Sequence, residues 1–433
     1  MPSFIDTFAI VKSHVKLRID PNSPAVDNLI FKLHYRATFL ILVLATVLVS
    51  SRQYIGEHIR CIADKGVAES VINTFCFFTS TYTIPRLMNS SHIDLDLIPH
   101  IGVGTQANGE EITHHAYYQW VPFALGIQAI LFYLPHLFWR TIEGGKLRLL
   151  VTGLQTASLA LREQALTTES MTIMSRQDRA KRIQEIRESF LNRLHMNRSW
   201  ALYLSMCEGL NLLNLLLQMH LTNKFLGEQF YSLGFALAET GINMKGDALD
   251  RVFPKVTKCT FHKFGASGTV QKHDAMCVMA LNIINEKIYI FLWYWFSFLT
   301  VLTVLGLVYR LFTFLLHGRS KVFNKWVFRL ACPGNSDASA ILEVTQNTNF
   351  GDWLFLYYIA KNVENIVFKE IIEGLSDDMM ERNKRMYAQL PQEIIDDDYE
   401  KSPKTYVVLL FFYRPFFTAV IADICIYCAA PLG

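Results

Sequence analysis

The residues of this chain best able to make or break covalent bonds are its eight cysteines, and their positions divide them. Cys61 and Cys76 lie in one polar stretch, Cys259 and Cys277 in another, and long apolar runs bound both stretches. In an oxidising compartment these four would form two disulfides, in any of three pairings. Cys207 falls within an apolar run and Cys332 in a basic polar section, so both are expected to remain free thiols. Cys425-x-x-Cys428 has the spacing of half a zinc site, but it stands in an apolar segment without a histidine or a second pair. Four ligands are not there, and no metal is expected.

Other chemistry is sparse. His114-His115 offers two imidazoles at the edge of an apolar run, placed for pH sensing or adventitious metal binding, although exposed boundary histidines usually do neither. There is no Walker loop, no G-x-G-x-x-G after a strand, no H-E-x-x-H and no G-x-S-x-G. Neither an enzyme nor a cofactor is expected. A net charge of +3 over 433 residues is too small and too dispersed to hold a nucleic acid.

The elements that must position the cysteines are membrane helices. The chain is 51% hydrophobic and only 18% charged, where soluble chains carry about 25% charged residues. The deficit is concentrated in four apolar runs, each long enough to cross a hydrocarbon core of ~30 Å as a helix. Expected spans are 37–51, continued by polar residues to about Gly56, then 117–139, 200–225 and 287–314. Basic residues mark one side: Lys32 and Arg36 before the first span, Arg176 to Arg198 between the second and third, and Arg310, Arg319, Lys321, Lys325 and Arg329 around the end of the fourth. An excess of Lys and Arg marks the cytoplasm. Segments 1–36, 140–199 and 315–405 are therefore expected inside, with both termini, and 52–116 and 226–286 outside. The outer location supplies the oxidising compartment that the four loop cysteines require. No cleavable signal precedes the first run, which is expected to stay as a signal anchor.

Within this frame several residues stand out. Phe4, Phe8, Val11 and Val15 make one apolar stripe on a short N-terminal helix, which either lies flat on the membrane or folds into a channel mouth. Asn89-Ser90-Ser91 is an N-glycosylation sequon in the first outer loop. Pro135, well inside the second span, should kink it, as a passive bend or a gating hinge. Glu208, Asn211, Asn214, Gln218 and Thr222 of the third span share an arc about 120° wide. Lipid cannot satisfy those groups, so the arc must face other helices or a water-filled path. The segment 406–433 is apolar but broken by Arg414-Pro415 and Asp423, which favours an interfacial or buried element over a fifth span.

Four stretches carry a resemblance. Tyr117-Tyr118-Gln119-Trp120-Val121 at the head of the second span is similar to the signature of innexins, the gap-junction proteins of invertebrates. Arg52-Gln53-Tyr54-Ile55-Gly56 resembles the innexin exit from the first span. The segment from Phe253-Pro254-Lys255-Val256 through Cys259, Gly265 and Gly268 to Cys277 resembles the second outer loop, and Phe350-Gly351-Asp352-Trp353 the cytoplasmic domain. The apolar 406–433 departs from the usual polar innexin tail.

The resemblance implies an all-α polytopic membrane subunit with four transmembrane helices, disulfide-linked extracellular loops and a helical cytoplasmic domain. It suggests the bridges Cys61–Cys277 and Cys76–Cys259. It implies a homo-oligomeric ring in the plasma membrane, an octamer, that docks with a second ring at a gap junction and accepts other innexin subunits as partners. Phe4, Phe8 and Val11 would narrow the cytoplasmic mouth of the pore, and Ser50, Arg52 and Gln53 would border its outer part. Two rival functions remain open: an undocked channel like those of the related pannexins, and a non-conducting tetraspan adhesion or scaffold protein.

Overall fold

The computed structural model describes residues 27–55, 58–63, 66–88, 100–107, 109–151, 176–240, 247–332, 338–346 and 348–388. Phe4, Phe8, Val11, Asn89 and the segment 406–433 lie outside them.

In chain order the elements are α1 (Leu29–Ile55), β1 (Arg60–Ala63), α2 (Glu69–Phe78), β2 (Thr81–Thr83), β3 (Thr113–His115), α3 (Val121–Glu143), α4 (Lys146–Val151), α5 (Arg176–Asn192) and α6 (Arg198–Phe225). They continue with α7 (Phe230–Thr240), α8 (Asp247–Val252), β4 (Val256–Phe264), β5 (Val270–Val278), α9 (Ala280–Leu316), α10 (Lys321–Ala331), α11 (Ala338–Gln346), α12 (Phe350–Asn362) and α13 (Asn365–Ala388).

Four of these, α1, α3, α6 and α9, are long and apolar enough to cross a membrane, with 27, 23, 28 and 37 residues. Their exposed side chains are those a bilayer would solvate. On α9, Phe291, Phe298, Val301 and Leu305 are all exposed, an arrangement water would oppose and lipid does not. The first of these helices starts at Leu29, earlier than the expected 37, because Leu33–Thr38 is a π-helical turn that continues the helix instead of a linker before it. Asn28 caps it, its side chain accepting from the Phe31 N–H at 2.6 Å. Pro122 sits in the first turn of α3, where no N–H is needed. Pro135 is buried inside α3 and leaves the Leu131 carbonyl without its helical donor.

At one end of the bundle stands a feature beyond the expected helices, a five-stranded antiparallel sheet of order β1-β5-β4-β2-β3. Its longest pair is the β4–β5 hairpin, in register from Val256–Val278 to Phe264–Val270. Side chains alternate: Thr257 and Cys259 on β4, and Ala275 and Cys277 on β5, are buried, while their neighbours are more open. The buried face packs on Ile72, Cys76 and Phe77 of α2, in one core with the halves of the membrane helices nearest the sheet.

At the other end α4, α5 and α10–α13 build a helical domain around a second core that includes Trp139, Trp200, Phe328, Trp353 and Phe368. The Phe350-Gly351-Asp352-Trp353 stretch joins it to the foot of α6. A Cβ on Gly351 would lie 2.6 Å from the carbonyl of Asn197, so only glycine permits the approach. The fully buried Asp352 carboxylate accepts from the His195 N–H and the Asn197 amide, both at 2.8 Å. These donors stand just before α6, where a carboxylate also suits the helix dipole.

Candidate functional site

The sheet brings the four loop cysteines together. Cys61 on β1 stands directly opposite Cys277 on β5, and the two are bonded. Cys76, in the second half of α2, is bonded to Cys259 on β4, with the Cα atoms 5.9 Å apart. The sulfurs of Cys61, Cys76 and Cys277 lie within 4.8 Å of one another, a spacing that would suit a metal if they were free; all three are consumed in the bridges. Both bridges are buried, and each joins the first loop to the second across 216 and 183 residues of sequence. Cross-links of this kind are each worth about 2–4 kcal/mol. Cys207 and Cys332 are free and buried.

The stretch Tyr117–Val121 fastens this domain to α3. Helix α2 ends at Phe78, which leaves its last carbonyls without helical donors. The Tyr118 hydroxyl reaches the carbonyls of Cys76 and Phe77 at 3.3 Å, and the Gln119 amide donates to that of Phe77 at 2.6 Å. Tyr117 donates to the carbonyl of Val252 at 2.9 Å. The tyrosine hydroxyls thus turn into protein, whereas polar-tipped aromatics at the head of a span commonly meet a wet membrane boundary. Trp120 alone of the three aromatics is open, at 62% exposure, in the position of an interfacial anchor. Val121 is buried.

Beyond the bridges the β4–β5 hairpin projects. Its tip closes through Gly265 N–H to Thr269 O at 2.8 Å and Gly268 N–H to Gly265 O at 3.0 Å. Gly268 has φ +78°, which a side chain would oppose. The last register pair before the turn, Phe264 and Val270, is 76% and 60% exposed. An apolar pair held open at the tip of a stiff hairpin suits contact with another surface.

His114 and His115 part company on β3. His115 is buried, 2.8 Å from the Thr83 hydroxyl, and burial together with neighbouring His114 lowers its pKa to about 4. It is neutral at physiological pH. His114 is exposed, with Ser80 as its neighbour at 3.3 Å. Among the described residues no histidine or carboxylate cluster gathers around the pair.

Beneath the sheet, the polar arc of α6 meets other helices. Glu208 accepts from Arg310 of α9 and from the Asn28 amide at 2.8 Å, and the Gln128 amide of α3 donates to Thr222 at 2.8 Å. Gln218 donates to Asn214 at 3.3 Å, and Asn211 is buried. Arg310, read in sequence as one of the basic residues at the cytoplasmic exit, is instead drawn into the bundle by Glu208. The missed signal was a cation inside an otherwise apolar run, which needs an acid of its own. At the C-terminal end of α1, Ser50 is half-buried, Arg52 exposed and Gln53 buried.

Comparison with known proteins matches this architecture to one family. The innexin family model covers residues 27–379. Innexin inx7 of Drosophila melanogaster is 45% identical over 377 residues, covering 86% of this chain and 85% of that protein. Innexin inx2 of Schistocerca americana is 39% identical, covering 86% and 97%, and Innexin shaking-B of Drosophila melanogaster is 33% identical, covering 90% and 100%. With four apolar spans, a doubly bridged loop domain and a family match over most of its length, the chain belongs to the innexin family.

Proposed function

We propose that eight copies of the chain form a ring around an aqueous pore in the plasma membrane, and that two rings in apposed membranes dock to join two cytoplasms. Membership of the innexins makes the chain a subunit of a gap-junction channel, a channel-forming and not an enzymatic role. The finer reading adds the octamer, the docking and the passage of ions and small metabolites. One observation carries the docking: the exposed Phe264–Val270 pair on a hairpin whose base is cross-linked twice to the first loop. A face that must meet its counterpart in register gains from being rigid before contact, since less ordering is lost on association.

In this reading the bridged domain is extracellular, the helical domain and both termini are cytoplasmic, and Pro135 bends the second span. Ser50, Arg52 and Gln53 border the outer part of the path, and the stripe of Phe4, Phe8 and Val11 narrows its inner mouth. Other innexin subunits can share the ring. The Asn89 sequon favours a second reading, an undocked channel, because a glycan on that loop would obstruct docking.

Dual voltage clamp of paired cells expressing this chain alone, with single cells recorded alongside, tests the proposal. Junctional current in pairs with little current in single cells supports docking. Current confined to single cells selects the undocked channel. Silence in both, with the protein at the surface, overturns a conducting homomeric ring and leaves a scaffold or an obligate partner subunit.

A further inference from the structure

Helix α10 follows the end of α9 at Leu316 after only the turn His317–Ser320. Ser320 caps it, accepting from the Phe323 N–H at 3.2 Å. Its inner face is fixed to the helical domain. Asn324 donates to the His317 carbonyl at 2.7 Å and accepts from the indole of Trp353 at 2.9 Å. Phe328 stacks against Phe368, with ring centres 6.0 Å apart. The direction in which the outer face points is therefore set by packing.

That outer face has two parallel rows, each with a spacing of four. One is apolar: Val322, Trp326 and Leu330 are 80%, 52% and 63% exposed. The other is cationic, with Lys321, Lys325 and Arg329 all exposed, and α10 contains no acidic residue. An apolar row beside a basic row, with a tryptophan at its centre, matches the boundary between acyl chains and anionic headgroups. The surface on which it would sit is adjacent. Exposed apolar side chains continue along α9 to Leu311, Phe312 and Leu315, so the lipid-solvated surface of the bundle runs down to the turn from which α10 departs. At the end of α3, α4 shows the same combination, with Leu149 exposed at 72% beside exposed Lys146.

We propose that α10 is an interfacial helix seated on the anionic leaflet at this end of the bundle, the cytoplasmic leaflet in the topology above. Val322, Trp326 and Leu330 enter the acyl boundary, and Lys321, Lys325 and Arg329 contact headgroup phosphates. Because the inner face of α10 is locked to Trp353 and Phe368, this contact anchors the helical domain to the membrane beside the fourth span.

The test uses the full-length protein in lipid nanodiscs. Trp326 fluorescence is isolated as the difference between wild type and Trp326→Phe. Phosphatidylcholine brominated near the glycerol end of its chains is expected to reduce that signal about twofold, as for an indole at the headgroup boundary. Adding phosphatidylserine should deepen the quenching in wild type but not in a protein carrying Lys321→Gln, Lys325→Gln and Arg329→Gln. An unquenched signal would overturn the proposal and give this face to a neighbouring protein surface. Quenching indifferent to phosphatidylserine in both proteins would overturn the anionic-leaflet contact. If Trp326→Phe fails to assemble, Val322→Cys carrying an environment-sensitive bimane label reads the same face. No arm measures current, so the outcome is separate from that of the channel reading.

Discussion

Arg310 on the fourth membrane helix holds the carboxylate of Glu208 on the third through two nitrogens, Nε to Oε2 at 2.8 Å and a terminal nitrogen to Oε1 at 2.5 Å. Both side chains are almost wholly buried, and Asn28 at the head of the first helix donates to the same carboxylate. Three of the four membrane helices thus meet at one acid. Removing one member of a buried pair leaves the other charged and unsatisfied, at a cost of about 3–5 kcal/mol, whereas replacing both by apolar groups is often neutral. Glu208→Leu alone should sharply reduce the yield of monodisperse protein in detergent, and Glu208→Leu with Arg310→Met should recover most of it. Equal losses in the single and double variants would refute the coupling.

The hydroxyl of Tyr118 and the amide of Gln119 close the end of the helix that carries Cys76. Tyr118→Phe keeps the ring and removes the donor, so it should cost about 1–2 kcal/mol. The loss should appear as a lower melting temperature, and as faster reduction of the Cys76–Cys259 bridge by dithiothreitol. An unchanged reduction rate would mean that the cap does not support the bridge.

For His115 the sign follows from a folded pKa of about 4 against an ordinary 6.5. The folded state holds the imidazole neutral, so this contribution is complete above the unfolded value and is lost as pH falls through the folded one. The shift sets an upper bound of ~3 kcal/mol. Melting temperature should drop between about pH 6.5 and pH 4, and His115→Gln should flatten that slope. A slope identical in the variant would assign the acid sensitivity to other groups.

Serine at Cys61 or at Cys259 removes one inter-loop bridge, with a cost of about 2–4 kcal/mol. Either substitution should abolish junctional coupling between cell pairs while leaving assembled protein in the membrane. Normal coupling between cells carrying either variant would separate docking from the bridges.

Deletion of residues 2–10 removes Phe4 and Phe8 from the N-terminal stripe. In the proposed pore this should change unit conductance or voltage gating without preventing surface expression. Matching single-channel records before and after deletion would take the stripe out of the conducting path.

Much of this was legible in the chain because it is written locally. A helix that crosses a bilayer satisfies its backbone within one segment, so run length and charge are enough to mark α1, α3, α6 and α9. Glu208 to Thr222 also revealed themselves as an arc needing partners, since helical periodicity is a property of one segment. The hairpin left a weaker trace: Val256 to Phe264 is rich in β-branched and aromatic residues and runs into a Gly-Ala-Ser-Gly turn, a signal the helical expectation passed over, while Val270 to Val278 carries only its two terminal valines. The cysteines alone allowed three pairings, and the resemblance to innexins was needed to choose among them.

The tertiary structure decided which distant groups meet. Arg310 looked like a cytoplasmic cation until Glu208, 102 residues away, claimed it. Tyr117 and Tyr118 stand at the head of a span, and only the fold shows the carbonyls of α2 and of Val252 taking up their hydroxyls. A buried polar atom must be satisfied by whatever the fold brings within about 3 Å. Sequence shows that the need exists, and the packing of distant segments determines which atom meets it.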